Sequence, residues 1–110
     1  MTKKIISEYF GKLRKFGYKV FNFNSRKAFF QGLTGMTDFI IIGKGKIFFV
    51  ELKIGKDKYS EIQIEIKKEI LNVSDRNPFI FYLTATDLNY TEIVSDIMQE
   101  NFKKLKTKYN

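Results

Sequence analysis

Apolar residues recur at Ile5, Ile6, Tyr9, Phe10, Leu13 and Phe16, and this helical spacing predicts an amphipathic helix over residues 2–16 that Gly17 ends. Residues 18–23 alternate well enough to predict a strand, and a loop follows up to Gly35. Two further strands are expected over residues 35–42 and 46–53, joined by a turn at Gly43-Lys44-Gly45. The second of them carries Phe48, Phe49, Val50 and Leu52, apolar on both faces, which predicts an inner position in the sheet. After a basic connection from Ile54 to Lys58, residues 60–73 pose a conflict. Ile62, Ile64 and Ile66 alternate like a strand, but the Glu and Lys content and a Ser60/Gln63 capping box favour a helix. Pro78 opens a strand over residues 79–83, and a last helix is expected over residues 89–106. The order α-β-β-β-α-β-α predicts one α/β domain, with a central mixed sheet of about four strands flanked by helices.

The hairpin sets the chemistry. With Lys44-Gly45 as a two-residue loop, Ile42 faces Ile47 and Asp38 faces Glu51. Directly opposed side chains have Cβ atoms about 4.5–5.5 Å apart, where two carboxylates repel unless a cation compensates. Strand period puts Lys53 on the same face as Glu51, and Val50 and Leu52 on the other. A Gly43-Lys44 turn would slide the register by two and leave Asp38 beside Phe49. As solvated edge charges these residues would be inert, but an inner strand rarely buries charges without partners.

Composition narrows the options. A chain of 110 residues with 44% hydrophobic content supports one core. The 20 Lys and Arg against 12 Asp and Glu give a net charge of +8, which suits a polyanionic partner, most simply nucleic acid, or else reflects a Lys-rich composition. The absence of cysteine excludes disulfides, thiol catalysis and zinc fingers, and the absence of histidine excludes His-based triads and His-dependent ribonucleases. Hydrolysis would have to use carboxylates, lysine and a metal-bound water. No apolar run approaches a membrane span and no signal-peptide core follows the N-terminus, so a cytoplasmic protein, of its cell or host, is expected.

Asp38 and Glu51 are accordingly assigned as ligands of Mg²⁺, a hard cation that one or two carboxylates suffice to hold, with Mn²⁺ as a substitute. The main-chain carbonyl of Leu52 is a further candidate ligand. Lys53 is assigned to orient the attacking water or to stabilise the charge that develops on phosphate.

An Asp, a short hairpin and then Glu-x-Lys on the second strand resemble the PD-(D/E)XK nuclease superfamily. Gly35 to Asp38, Glu51-Leu52-Lys53 and the downstream Gln63 are most similar to its virus-type replication-repair nuclease domain, and the small Holliday junction resolvases are similar too. Thr37 departs from the pattern, standing where the superfamily name has proline. The resemblance implies a restriction-endonuclease-like core and the same roles for Asp38, Glu51 and Lys53. It implies a metal-completing acidic residue on the first helix, for which Glu8 is the candidate, the alternative being an exposed helical Glu. It also implies contact of Gln63 with the metal-bound water or the scissile phosphate. Helical projection turns Gln63 towards the sheet with Ile66 and Ile70, yet the capping box accounts for it equally.

Arg26, Lys27, Lys56 and Lys58 flank this site in loops and are candidates for holding further phosphates. Phe29-Phe30 reads as a core plug or a base-stacking surface. Lys103, Lys104, Lys106 and Lys108 suit the negative end of the last helix. Gly43-Lys44-Gly45-Lys46 lacks the spacing of a phosphate-binding loop and is a turn. Ile64 and Leu71, on the helix face away from Ile66 and Ile70, suggest a homodimer, which would supply two sites for paired incisions. The expected function is a Mg²⁺-dependent DNA endonuclease for branched DNA, resembling a Holliday junction resolvase. The alternatives are a flap-type or nonspecific nuclease of the same fold, and an inert basic nucleic-acid-binding protein.

Overall fold

The helical periodicity at the N-terminus resolves into two segments in the computed structural model, which describes residues 3–23 and 35–110. Helix α1 (Lys3–Gly11) passes into a 3₁₀ helix (Lys12–Phe16), and Gly17 ends it in the left-handed region at φ 91°. Strands β1 (Lys19–Asn22), β2 (Phe39–Gly43) and β3 (Lys46–Leu52) follow, then α2 (Glu61–Ser74), β4 (Ile80–Ala85), α3 (Tyr90–Met98) and α4 (Phe102–Thr107). The expected single last helix is therefore two. Gln99-Glu100-Asn101 interrupts it, with Glu100 at φ 58° and the Asn101 amide turned back to the Asp96 carbonyl at 2.9 Å. The last strand begins one residue later than expected, at Ile80, because Phe79 belongs with Pro78 to the preceding turn.

The four strands lie in the order β1-β2-β3-β4, so β3 is an inner strand. β1/β2 and β2/β3 pair antiparallel and β3/β4 parallel, making the sheet mixed. A parallel pair needs a crossover, which α2 provides. The molecule is thus an α/β structure, a four-stranded mixed sheet with helices packed on it.

The two faces of the sheet are covered differently. Phe39, Ile41, Phe48, Val50, Leu52, Phe81, Leu83 and Ala85 form one buried face under Ile6, Phe10, Leu13, Ile93, Ile97 and Leu105. Ring stacking of Phe10 on Phe39 (5.3 Å) and Phe48 on Phe81 (4.7 Å) ties helix to strand and strand to strand there. On the opposite face α2 buries no apolar side chain completely; its one fully buried residue is Ser74.

Its ends are fixed instead by polar groups. Ser60 and Gln63 form a reciprocal capping box at the N-terminus. At the other end the Lys106 ammonium, from α4, donates to the Ser74 carbonyl and hydroxyl, to the Asn77 carbonyl (2.7 Å) and to the Ile80 carbonyl. A cation there adds a charged donor to oxygens that already accept from the Asn77 amide, the Ile80 amide and the Ser74 hydroxyl, and it suits the negative end of the helix. Lys104 and Lys108 act elsewhere, each pairing with Glu92 at 2.9 Å. Those two bonds, Lys108 first, bring the Glu92 carboxyl down from 4.5 to about 2. A depressed acid stabilises the folded state above its unfolded pKa. The stabilisation from Glu92 should hold above pH 4.5 and disappear as the pH falls through about 2. Acid titration of the melting temperature should show this dependence in the parent and lose it in Glu92→Gln. Among the described residues, no helix is long and apolar enough to cross a membrane.

Candidate functional site

The turn at Lys44-Gly45 adopts positive φ at both residues (53° and 78°), the geometry that keeps a two-residue hairpin in step with strand twist. Its register is Ile42 with Ile47 through to Phe39 with Val50. Asp38 lies one step before Phe39 and Glu51 one step after Val50, so the register carries them to facing positions. Both are buried, 3% and 2% exposed. The alternative register, with Asp38 beside Phe49, does not occur; Phe49 pairs with Ile40.

Each member of the site is held by a neighbour in the sequence motif. The Leu52 amide donates to Asp38 Oδ2 at 2.8 Å, so Leu52 enters the site through its N–H. Thr37, buried at the approach to Asp38, donates its hydroxyl to the Phe39 carbonyl at 3.1 Å. Gln63 is the capping partner of Ser60 and is also turned towards Lys53 and Glu51. Its Oε1 accepts from the Ser60 amide and from the Lys53 ammonium, both at 2.9 Å, and its Nε2 donates to Glu51 Oε1 at 3.4 Å. The same side chain thereby caps α2 and joins Glu51 to Lys53. Lys53 also donates to the Lys58 carbonyl at 3.1 Å.

A wall of hydroxyls closes the β4 side, and sequence reasoning missed it. In the parallel register Thr84 is the partner of Glu51 and Tyr82 of Phe49. Tyr59 bonds Thr84 Oγ1 at 2.6 Å and accepts from the Tyr82 hydroxyl at 3.2 Å. Burial pushes the Tyr82 phenol far up, helped by Tyr59, Glu51 and Asp38. The carboxylates therefore act on it electrostatically. The β3/β4 register is set by a crossover across the whole of α2, and nothing local in the sequence encodes it.

The other candidates fare differently. Glu8 is exposed, on the helix whose Phe10 stacks on Phe39, and no hydrogen bond among the described residues joins it to Asp38 or Glu51. Lys56 and Lys58 are exposed in the loop between β3 and α2, next to Lys53 in the chain. Arg26, Lys27, Phe29 and Phe30 lie outside the described residues.

The donor set suits Mg²⁺. Two opposed carboxylates are hard oxygen ligands, and a magnesium ion ordinarily completes its shell with water and substrate oxygens. No group of three or more acidic, His or Cys side chains suited to a metal occurs among the described residues.

Three substitutions probe how the site is supported. Ser60→Ala should cost about 1 kcal/mol as a lost cap and leave the Lys53–Gln63 contact in place. Gln63→Ala should cost more, because it also removes the partner of two charged groups; chemical denaturation of the two variants compares them. Gly35, at φ 80°, approaches α2 so closely that an added Cβ would lie 2.8 Å from Ile62 Cγ2. Gly35→Ala should lower stability by about 1–3 kcal/mol through backbone strain and this clash, read in the same experiment.

No protein-family model, no curated protein and no solved structure matches this chain.

Proposed function

We propose that the protein is a metal-dependent DNA endonuclease with a restriction-endonuclease-like core, hydrolysing phosphodiester bonds in branched DNA. The observation that carries this reading is two buried carboxylates, Asp38 and Glu51, next to the Phe39/Val50 strand pair, with an ammonium joined to Glu51 through one glutamine. Two buried carboxylates and an ammonium gathered within one hydrogen-bonded group mark a candidate for chemistry. The net charge of +8 supports a polyanionic substrate.

Asp38 and Glu51 would hold Mg²⁺ or Mn²⁺, with the Leu52 carbonyl as a further candidate oxygen. The ion, when bound, would make a coordinated water easier to deprotonate to the attacking hydroxide and would neutralise phosphate charge. The chain's own groups do the rest. The Leu52 N–H fixes the Asp38 carboxylate, and Gln63 keeps Lys53 and Glu51 at a set separation. Two of the three Lys53 N–H donors go to Gln63 and the Lys58 carbonyl, which leaves one for a substrate oxygen or the attacking water. A positive charge held in that way favours the transition state, where negative charge builds on the phosphate oxygens.

Ile64 on α2 is 41% exposed and Leu71 is half-buried, and a homodimer through the face of α2 that carries them would cover both. Incubation with labelled four-way junction, flap and linear duplex, with Mg²⁺ or chelator, tests the reading. Symmetric, Mg²⁺-dependent cuts in the junction are expected. Preferential cutting of flap or duplex would replace the junction substrate, and binding without cleavage in any metal would leave a nucleic-acid-binding module.

A further inference from the structure

Lys67 lies one helical turn beyond Gln63 on α2, on the same side of the helix. Its ammonium sits 4.6 Å from the Tyr59 ring centroid and 5.5 Å from that of Tyr82. The Lys53 ammonium is 4.7 Å from the same Tyr59 ring. Two cations thus converge on one aromatic ring, separated by at most about twice that distance. The ring itself is anchored at the carboxylate pair, since its hydroxyl bonds Thr84, the strand partner of Glu51.

Neither ammonium has a carboxylate within ion-pair distance among the described residues; the ion pairs there involve Lys3, Lys104 and Lys108. Aromatic faces orient a cation without neutralising it. A flexible lysine has then lost part of its freedom before any ligand arrives, which lowers the cost of binding. Pre-positioned, unneutralised and beside an ammonium already assigned to the reacting phosphate, Lys67 is suited to a second anion of the same strand.

We propose that Lys67, held over Tyr59 and Tyr82, binds the phosphodiester neighbouring the one that faces Asp38, Glu51 and Lys53. The inference rests on the nucleic-acid reading of that site. Lys67 binds and positions here; it does not take part in bond making.

The test is oligonucleotide binding in chelator, followed by fluorescence anisotropy across a salt series, with the parent, Lys67→Met, Lys67→Gln and Lys67→Arg. Both neutral variants keep a long side chain against the rings, so two independent chances of a folded protein exist, and circular dichroism verifies each. Loss of one phosphate contact should reduce the slope of log affinity against log salt by about 0.7 for a single strand and about 0.9 for duplex. Lys67→Arg should keep the parental slope. If the parent cleaves DNA, the neutral variants should raise KM with kcat nearly unchanged. An unchanged slope in a folded neutral variant overturns the inference, even if the parent is a nuclease. A reduced slope supports it even if the parent cuts nothing, in which case only the catalytic reading falls.

Discussion

Lys53→Met is expected to lower DNA cleavage by about 10²–10³-fold, the effect of removing one preorganised charge from a transition state, with little change in DNA affinity. Methionine fills the apolar stem of lysine up to the ammonium and removes the charge together with its approach to the Tyr59 ring. Gln63 Oε1 retains the Ser60 amide and Gln63 Nε2 retains Glu51, which preserves the surroundings. The loss should therefore fall on the chemical step, in single-turnover kinetics, and not on folding. A variant that cleaves at the parental rate would show that Lys53 is only a strut between Gln63 and the Lys58 carbonyl.

The largest effect on stability is expected far from the carboxylates. Lys106→Met should cost about 2–3 kcal/mol, at the upper end for hydrogen bonds to a charged group, and lower the melting temperature by about 10 °C. The ammonium gathers acceptors from Ser74, Asn77 and Ile80, which are the end of α2 and the turn leading into β4. Methionine fills part of the space beside Phe81, whose ring lies 4.9 Å from the ammonium, and takes the charged donor away from those carbonyls, each of which keeps one weaker donor. Because α2 buries no apolar side chain fully, little else secures that end. Hydrogen exchange should rise first in the last turn of α2. Melting at the parental temperature would mean that water replaces the ammonium without cost.

The two effects are linked through α2, which is attached to the sheet at Gln63 and at Lys106. Loosening the Lys106 end should disturb the site less than removing Gln63, since the capping box and the Lys53 contact lie at the opposite end of the helix.

What the sequence disclosed follows the range over which it acts. The Lys44-Gly45 turn specifies its register locally, so the hairpin register from Ile42/Ile47 to Phe39/Val50 and the inner position of β3 were legible from residues within one hairpin. The capping box was legible because its partners are three residues apart. The two uses of Gln63 looked like alternatives because projection gives a direction and no contacts; one amide oxygen accepts from both Ser60 and Lys53. The Tyr59–Tyr82–Thr84 group depends on a parallel pairing between strands separated by a whole helix, and pattern gives no register there. The break at Gln99-Glu100-Asn101 escaped because all three residues suit a helix surface, and only the return of Asn101 to Asp96 ends α3. Lys106 reads as one more cation in a basic tail; its partners lie about thirty residues earlier, beyond the reach of local pattern.

The most direct test of the account compares the parent with Glu51→Gln, at matched concentration on a labelled four-way junction, as Mg²⁺ is titrated from chelator upwards. Glutamine keeps the shape beside Gln63 and removes the charge. The account predicts cleavage that rises with Mg²⁺ in the parent and is absent in Glu51→Gln, which still binds the junction. Equal cleavage by the two proteins, or cleavage by the parent in chelator, would contradict it.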